Sequence, residues 1–301
     1  MSLIPETSRI DIDAALVGRL IAEQFPGWAG LPLAPVASAG TDNALFRLGD
    51  ALVVRLPRVG WAIGQAEREH HWLPVLAPHL PLPVPAPLAM GEPSDAFAHH
   101  WSVCPWLEGE DGVGATFADP SEAAGALARF IADLQSLSAA DGPRAGRQNN
   151  GRGVPLVYLD DSVRAAITAL EGEIDTAAAT AAWSDAVAAS AWDGAGVWLH
   201  GDLHPGNLLI QAGRLSGVID FGCLGVGDPA CDAMAAWTVF RGGARSAFRR
   251  VLPLDTATWA RARGWALYSG LIALPYYLHS NPVIVRRVRQ LITEVLADRA
   301  G

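Results

Sequence analysis

Only three cysteines occur in the 301 residues, Cys104, Cys223 and Cys231. They are too few and too scattered for a disulfide framework or a cysteine-built zinc site. No run of about 18 apolar residues, free of polar or helix-breaking ones, is present, which argues against a membrane span. The nearest candidate, Trp265–Leu278, is too short and carries Ser269, Gly270 and Pro275, so it reads as a buried helix. Met1–Arg9 lacks a basic stretch followed by an apolar one, the mark of a secretory signal. Charge is sparse as well: 18% of residues are charged, and acids outnumber bases to leave a net −9. That balance speaks against a nucleic-acid partner and modestly favours a cationic one, although solubility alone accounts for an acidic surface equally well. The expectation is a cytoplasmic protein with neither membrane nor nucleic acid among its partners.

Half of the residues are hydrophobic, so the chain is not disordered, and its length suggests one large domain or two lobes. Ile12, Leu16, Leu20 and Ile21 recur at helical spacing and predict a helix over 11–25, capped by Asp11 and ended by Pro26-Gly27. Strand-like runs follow at Leu33–Ala37, Ala44–Leu48 and Ala51–Leu56, joined by Ser38–Asn43 and by the turn Gly49-Asp50. Within the third run, alternation places Arg55 on the face opposite Val54 and Leu56. A helix is predicted over 64–77, then a proline-punctuated stretch, a strand at 86–90 and another at 101–107. Leu127, Phe130, Ile131, Leu134 and Leu137 mark a helix over 120–138, and residues 141–155 are loop by composition, open to being mobile. Helices are expected over 158–175, 177–192, 244–252, 255–279 and 283–298. Asp228 is placed to cap a further helix opened by Pro229.

The chemistry concentrates in residues 198–222. Two apolar runs, Leu208–Ile210 and Leu215–Ile219, are joined by a glycine-containing turn at Gln211–Arg214, a hairpin pattern. Before it stands the polar loop His200-Gly-Asp-Leu-His-Pro-Gly-Asn207; after it comes Asp220-Phe221-Gly222. Such a hairpin can bring Asp202, Asn207 and Asp220 to one end. All-oxygen side chains of this kind suit Mg²⁺, which takes few protein ligands and fills its shell with water and phosphate. An Asp left off the metal can accept a proton from a hydroxyl.

His-Gly-Asp-Leu-His-Pro-Gly-Asn followed by Ile-Asp-Phe-Gly resembles the catalytic and metal-binding segments of the aminoglycoside phosphotransferase family. That family is related to protein kinases, whose catalytic loop runs His-Arg-Asp to Asn and is followed by Asp-Phe-Gly. The five-position spacing from Asp202 to Asn207 is kept. The resemblance spans roughly residues 33–240 and implies an α+β, two-lobed, protein-kinase-like fold. Its N-lobe, residues 1–107, would hold an antiparallel sheet plus helix and bind nucleotide; its C-lobe, residues 108–301, would be mostly helical and carry the catalytic loop and the acceptor.

Residue roles follow from the resemblance. Asp202 would orient the acceptor hydroxyl and take its proton, and Asn207 and Asp220 would hold Mg²⁺. Arg55 stands where the family normally places a lysine for the α- and β-phosphates of ATP or GTP; its planar fork also suits phosphate. Glu69 would orient Arg55, with Glu67 as the alternative. Ser38–Asn43 would cover the phosphates with a single glycine, Gly40. The carbonyl of Pro105 and the N–H of Leu107 would meet the base, and Asp232 would brace the catalytic loop. The expected activity is nucleotide-dependent phosphorylation of a small-molecule hydroxyl, most naturally on an aminoglycoside-type antibiotic, which would confer resistance. Choline, homoserine, fructosamine and macrolide acceptors are the alternatives. The acids Asp160, Asp161, Glu171, Glu173 and Asp175 form either a wall for a polycationic sugar or a solvated helix face. Trp259, Trp265, Tyr268, Tyr276 and Tyr277 line the acceptor pocket or pack the core.

Two other readings compete. His200-Gly-Asp202-Leu-His204 also has the look of a zinc or manganese cluster in a hydrolase, but leaves Asn207 and Asp-Phe-Gly unexplained. A nucleotide-binding regulator without turnover is the second.

Overall fold

The computed structural model describes residues 10–36 and 42–298. Within them the chain divides into two compact units. The first runs to Ala118 and takes back Gly206–Leu224; the second comprises Asp119–Pro205 and the chain from Gly225 onward. This division differs from the boundary expected at 107/108, for a local reason. β6 (Glu110–Asp111) pairs with β8 (Leu208–Gln211), which pairs with β9 (Arg214–Val218). The backbone bonds Gly112 N to Leu208 O at 3.1 Å and Ala118 N to Gly213 O at 2.9 Å extend that attachment. The ribbon after the His200–Asn207 loop thus belongs with the sheet unit.

In the first unit, α1 (Ala14–Gln24) begins later than the expected residue 11, because Asp13, not Asp11, caps it by accepting from Leu16 N at 2.7 Å. The strands β1 (Leu33–Pro35), β2 (Asn43–Leu48), β3 (Leu52–Pro57), β4 (Ala89–Gly91) and β5 (Trp101–Pro105) form one antiparallel sheet in the order β1-β2-β3-β5-β4. Alternation sends Ala44, Phe46, Leu48, Val54, Leu56, Trp101 and Val103 to one face, where they meet Val17, Leu20 and Ile21 of α1. Each large side chain so removed from water contributes about 1.5–3 kcal/mol. The opposite face carries Arg55, which pairs across the sheet with Leu45 and Ser102. Helix α2 (Gln65–Leu76) matches the expected span closely.

The second unit is mostly helical: α3 (Pro120–Ser136), α4 (Asp160–Ala169), α5 (Thr176–Ala188), α6 (Ala230–Ala233), α7 (Ala235–Thr238), α8 (Gly242–Val251), α9 (Thr256–Tyr277) and α10 (Pro282–Ala297). A two-stranded pair, β7 (Val197–Leu199) with β10 (Gly225–Gly227), stands beside them. The helix expected over 158–175 is shorter: α4 stops at Ala169, Gly172 turns with φ 82°, and Asp175 caps α5 through Ala178 N. Trp183, Trp198, Trp265, Phe130 and Phe248 fill the core, so the aromatic-core alternative holds for Trp265. Trp259 and Tyr268 are also buried, whereas Tyr276 is exposed. Asp228 caps Ala230 N at 3.0 Å, as expected, and forms a buried ion pair with Arg261 at 2.7 Å.

The stretch 141–155 is not a loose loop. Its backbone bonds to the β10 segment through Val226 N to Pro143 O, Ala145 N to Val226 O and Asp228 N to Gly153 O, at 2.7–2.9 Å. Gly153, with φ 86°, lies so close to Gly227 that a Cβ would stand 3.2 Å from its Cα. The three cysteines are buried thiols. Among the described residues no helix is long and apolar enough to cross a membrane.

Candidate active site

In the first unit, β3 delivers Arg55 from the face that the hydrophobic alternation leaves over, and α2 delivers Glu69. Arg55 Nη1 lies 2.6 Å from Glu69 Oε2, and Nη2 lies 3.4 Å from Oε1, so the fork grips the carboxylate twice. The guanidinium is 9% exposed and Glu69 is 1% exposed, so neither charge has water to fall back on. Burial works against the charged guanidinium, but Glu69 and Asp220 outweigh it and push its pKa above the ordinary arginine value. For Glu69, burial pushes the carboxyl upward against the pull of Arg55. Glu67, the alternative partner, turns to His100 instead, at 2.8 Å.

Arg55 also reaches Asp220, with Nη2 at 3.6 Å from Oδ1. Asp220 follows β9 in the left-handed region, φ 64°, which Asp tolerates better than most residues. That turn frees its side chain from the ribbon, leaving it 41% exposed. Phe221 is fully buried, and Gly222 lies against α2: a Cβ there would sit 2.7 Å from Gln65 Nε2, and Arg68 donates to the Gly222 carbonyl at 2.7 Å. Asp-Phe-Gly is thus locked to the helix that carries Glu69. Asn207, buried, stands beside this turn, since Ile219 N donates to its carbonyl at 2.9 Å. A carboxylate and a carboxamide are hard oxygen donors of the kind Mg²⁺ takes in small number, so this pair fits that ion.

β5 lies between β3 and β4, and its end at Cys104 and Pro105 runs past the last pair with β4, Val103 with Ala89. Trp106 N donates to Ala51 O at 2.7 Å, which turns the carbonyl of the preceding Pro105 to the other edge of β5. Leu107 is the next residue on that alternation. Gly40 lies outside the described residues.

Asp202 belongs to the second unit. Its loop leaves β7 and is held from below by the wholly buried Asp232, which accepts from His200 N at 2.7 Å and Gly201 N at 2.8 Å. Burial pushes the Asp232 carboxyl up, and these two amides and His200 oppose that. Thr238 Oγ1 donates to Leu203 O at 2.6 Å and fixes the far side of the loop. Asp202 itself is 30% exposed, with Arg152 Nη2 3.3 Å from one oxygen and His204 Nε2 3.6 Å from the other. Burial raises its pKa, but the His204 hydrogen bond and the charges of Arg152, His204 and His200 overrule it and hold the carboxyl well below the usual range. It is therefore ionised at neutral pH, as a proton acceptor must be.

Two residues of these constellations, Arg152 and Arg68, are missing from the sequence reading. Nothing in the local pattern marks either one; their partners are 50 and 154 positions away. Three of the five acids offered as a wall are already engaged within the protein. Asp160 is engaged by Arg164 and the Trp183 indole, Glu173 by Arg289, and Asp175 by the start of α5. The hydrolase cluster does not materialise, since no group of three or more His, Cys, Asp or Glu is placed to hold a metal among the described residues.

The sequence profile of the phosphotransferase enzyme family matches residues 34–265. No curated protein matched the chain in a sequence search. Solved structures do. The GDP complex of wild-type aminoglycoside 2'-phosphotransferase-IIIa is similar with a TM-score of 0.68 and 17% identity over 96% of this chain and 100% of that one. A GDP and kanamycin complex of a related aminoglycoside phosphotransferase gives 0.69 and 18%, covering 94% and 98%. The macrolide 2'-phosphotransferase of Brachybacterium faecium, as apoenzyme, gives 0.59 and 22%, covering 93% and 98%. The fold is thus the kinase-like α+β fold that the His200–Asn207 motif implies. The chain belongs to the phosphotransferase enzyme family, and it is a small-molecule phosphotransferase. All 22 of its basic residues are arginines, so an arginine at position 55 matches the habit of the whole sequence.

Proposed function

We propose that this enzyme transfers the γ-phosphoryl group of ATP or GTP to a hydroxyl of a small molecule, with Asp202 as proton acceptor. The observation that carries the proposal is the buried Arg55–Glu69 pair and its contact with Asp220, a fixed cation beside a hard-oxygen turn. Arg55, immobilised by Glu69, would bind α- and β-phosphate oxygens through the donors of its fork. The Pro105 carbonyl and Leu107 N–H would take the edge of the base, and Gly40 would let its loop approach the phosphates. Mg²⁺ held by Asn207 and Asp220 would neutralise phosphate charge. The unit carrying the sheet and the ribbon would therefore be the nucleotide-binding part, and the helical unit would present Asp202 to the acceptor.

In the reaction the acceptor oxygen forms a bond to the γ-phosphorus while the bond from that phosphorus to the β–γ bridging oxygen breaks. The hydroxyl proton passes to an Asp202 oxygen, and the nucleoside diphosphate leaves. Such transfers are loose, so positioning and fixed charge supply most of the acceleration. That role suits a loop clamped on one side by Asp232 and on the other by Thr238.

Kinship in fold with enzymes acting on aminoglycosides supports an aminoglycoside-type acceptor, as the motif suggests. One observation favours the alternative class of less cationic alcohols: Asp160, Glu173 and Asp175, three of the five acids of 160–175, are engaged in ion pairs and a cap, and an arginine stands at Asp202. The test is nucleotide consumption by the purified enzyme over a panel of hydroxyl compounds, repeated with D202N. The variant is expected to lose about 10²–10⁴-fold in kcat while its nucleotide Kd changes less than threefold. Full turnover by D202N would refute the assignment.

A further inference from the structure

Arg152 is a residue no motif explains, and its surroundings are built rather than incidental. It stands between two glycines in the left-handed region, Gly151 at φ 71° and Gly153 at φ 86°, after Asn150 at φ 56°. Fully buried Asn149 supports the turn, its Nδ2 donating to the Arg152 carbonyl at 2.8 Å. Asp228 N bonds the Gly153 carbonyl at 2.9 Å, tying the segment to β10. This platform presents the guanidinium to Asp202 at 3.3 Å and over the ring of Tyr268, 5.5 Å from its centroid. The Arg152 side chain is only 16% exposed, while Asp202 is 30% exposed. His204 Nε2 stands 3.6 Å from the other oxygen of the same carboxylate.

We propose that Arg152 selects the acceptor: the substrate is an alcohol bearing an anionic group, carboxylate or phosphate, close to the reacting hydroxyl, and polycationic alcohols are disfavoured. The inference rests on the phosphotransfer reading above. A hydroxyl that reaches Asp202 must come within a few ångströms of a fixed guanidinium. An ammonium carried beside that hydroxyl is repelled there, whereas a carboxylate or phosphate finds a planar fork suited to two-point binding. The pairing also couples recognition to chemistry. When the substrate anion engages Arg152, the guanidinium is drawn from Asp202, whose carboxylate becomes a better proton acceptor as the acceptor hydroxyl arrives. A cationic alcohol leaves Arg152 on Asp202 and gains neither effect.

The test compares three classes of alcohol with the purified full chain, nucleotide and magnesium: anionic (glycerate, malate, glycerol 3-phosphate), neutral (glycerol, glucose) and polycationic (kanamycin). Wild type, R152Q and R152K are each assayed, and nucleotide binding is followed separately. Turnover should be greatest on an anionic alcohol. R152Q should raise the KM for it at least tenfold with a smaller change in kcat, and R152K should recover part of that loss. A residue that only props Asp202 would lower kcat and leave KM unmoved, which overturns the proposal. Preferred turnover of kanamycin or of the neutral alcohols overturns it too, while leaving phosphotransfer standing. An enzyme that binds nucleotide yet turns over no class overturns both readings.

Discussion

The buried pair between Arg55 and Glu69 makes a sharp energetic forecast. In E69Q the side-chain volume is kept but the guanidinium, 9% exposed and 2.6 Å from its partner in the native state, loses its counter-charge. Asp220, at 3.6 Å and 41% exposed, offers only partial compensation. Breaking one side of a buried pair typically costs about 3–5 kcal/mol. For a chain of this length unfolding as one unit, that corresponds to a drop in Tm of roughly 5–8 °C. Replacing both partners by apolar residues of similar size, R55M with E69M, removes the orphaned charge and should return stability to within about 1 kcal/mol of wild type. The two variants should behave differently in a second assay. Arg55 is assigned to the phosphates, and a charge-assisted hydrogen bond is worth about 1.5–3 kcal/mol, so the double variant should bind nucleotide roughly 10–150-fold more weakly despite its recovered stability. Thermal unfolding followed by circular dichroism and titration calorimetry with ATP and GTP read the two quantities. An E69Q protein within 1 kcal/mol of wild type would refute the idea that the pair is energetically isolated from water; a double variant with native nucleotide affinity would refute the role of Arg55.

Two further expectations concern the loop and the sheet unit. Asp232→Ala leaves the amides of His200 and Gly201 buried without their acceptor, at about 1–3 kcal/mol each; kcat should fall more than tenfold, and denaturant titration together with steady-state kinetics would expose an unchanged protein as a contradiction. His100 lies between Glu67 at 2.8 Å and Glu92 at 3.0 Å; burial opposes its charge, but those two hydrogen bonds raise its pKa. Because the folded value is raised, the stabilisation is complete below the unfolded pKa of about 6.5 and disappears as pH climbs through the folded value. H100A should therefore destabilise by about 0.2–1 kcal/mol at pH 5.5 and by nearly nothing at pH 9, and equal losses at both would argue against the pair.

Much of the site was legible along the chain because its parts are short and local. The step from Asp202 to Asn207, the ribbon Leu208–Val218 and the turn at Asp220 lie within one stretch, where spacing and hydrophobic alternation are direct signals. Alternation likewise put Arg55 opposite Val54 and Leu56, and its pairing with Leu45 and Ser102 shows it on that face. The resemblance put Glu69 ahead of Glu67 without deciding between them. Only packing did, by burying Glu69 on Arg55 and sending Glu67 to His100.

Other features were invisible for the same physical reason: their partners are remote in sequence. Where the ribbon belongs was decided by pairing of β6 with β8, across about a hundred residues, and not by any composition change near 107. Residues 141–155 read as loose because glycine, proline and polar residues look alike in mobile and in pinned loops. Bonds to Val226 and Asp228 make this one a platform. Of the acids of 160–175 that read as a possible substrate wall, Asp160, Glu173 and Asp175 are taken by Arg164, Arg289 and the Ala178 amide. Local order in the sequence thus determined which catalytic chemistry the chain carries, while the charge that meets its substrate, Arg152 on Asp202, was decided only when distant segments packed together.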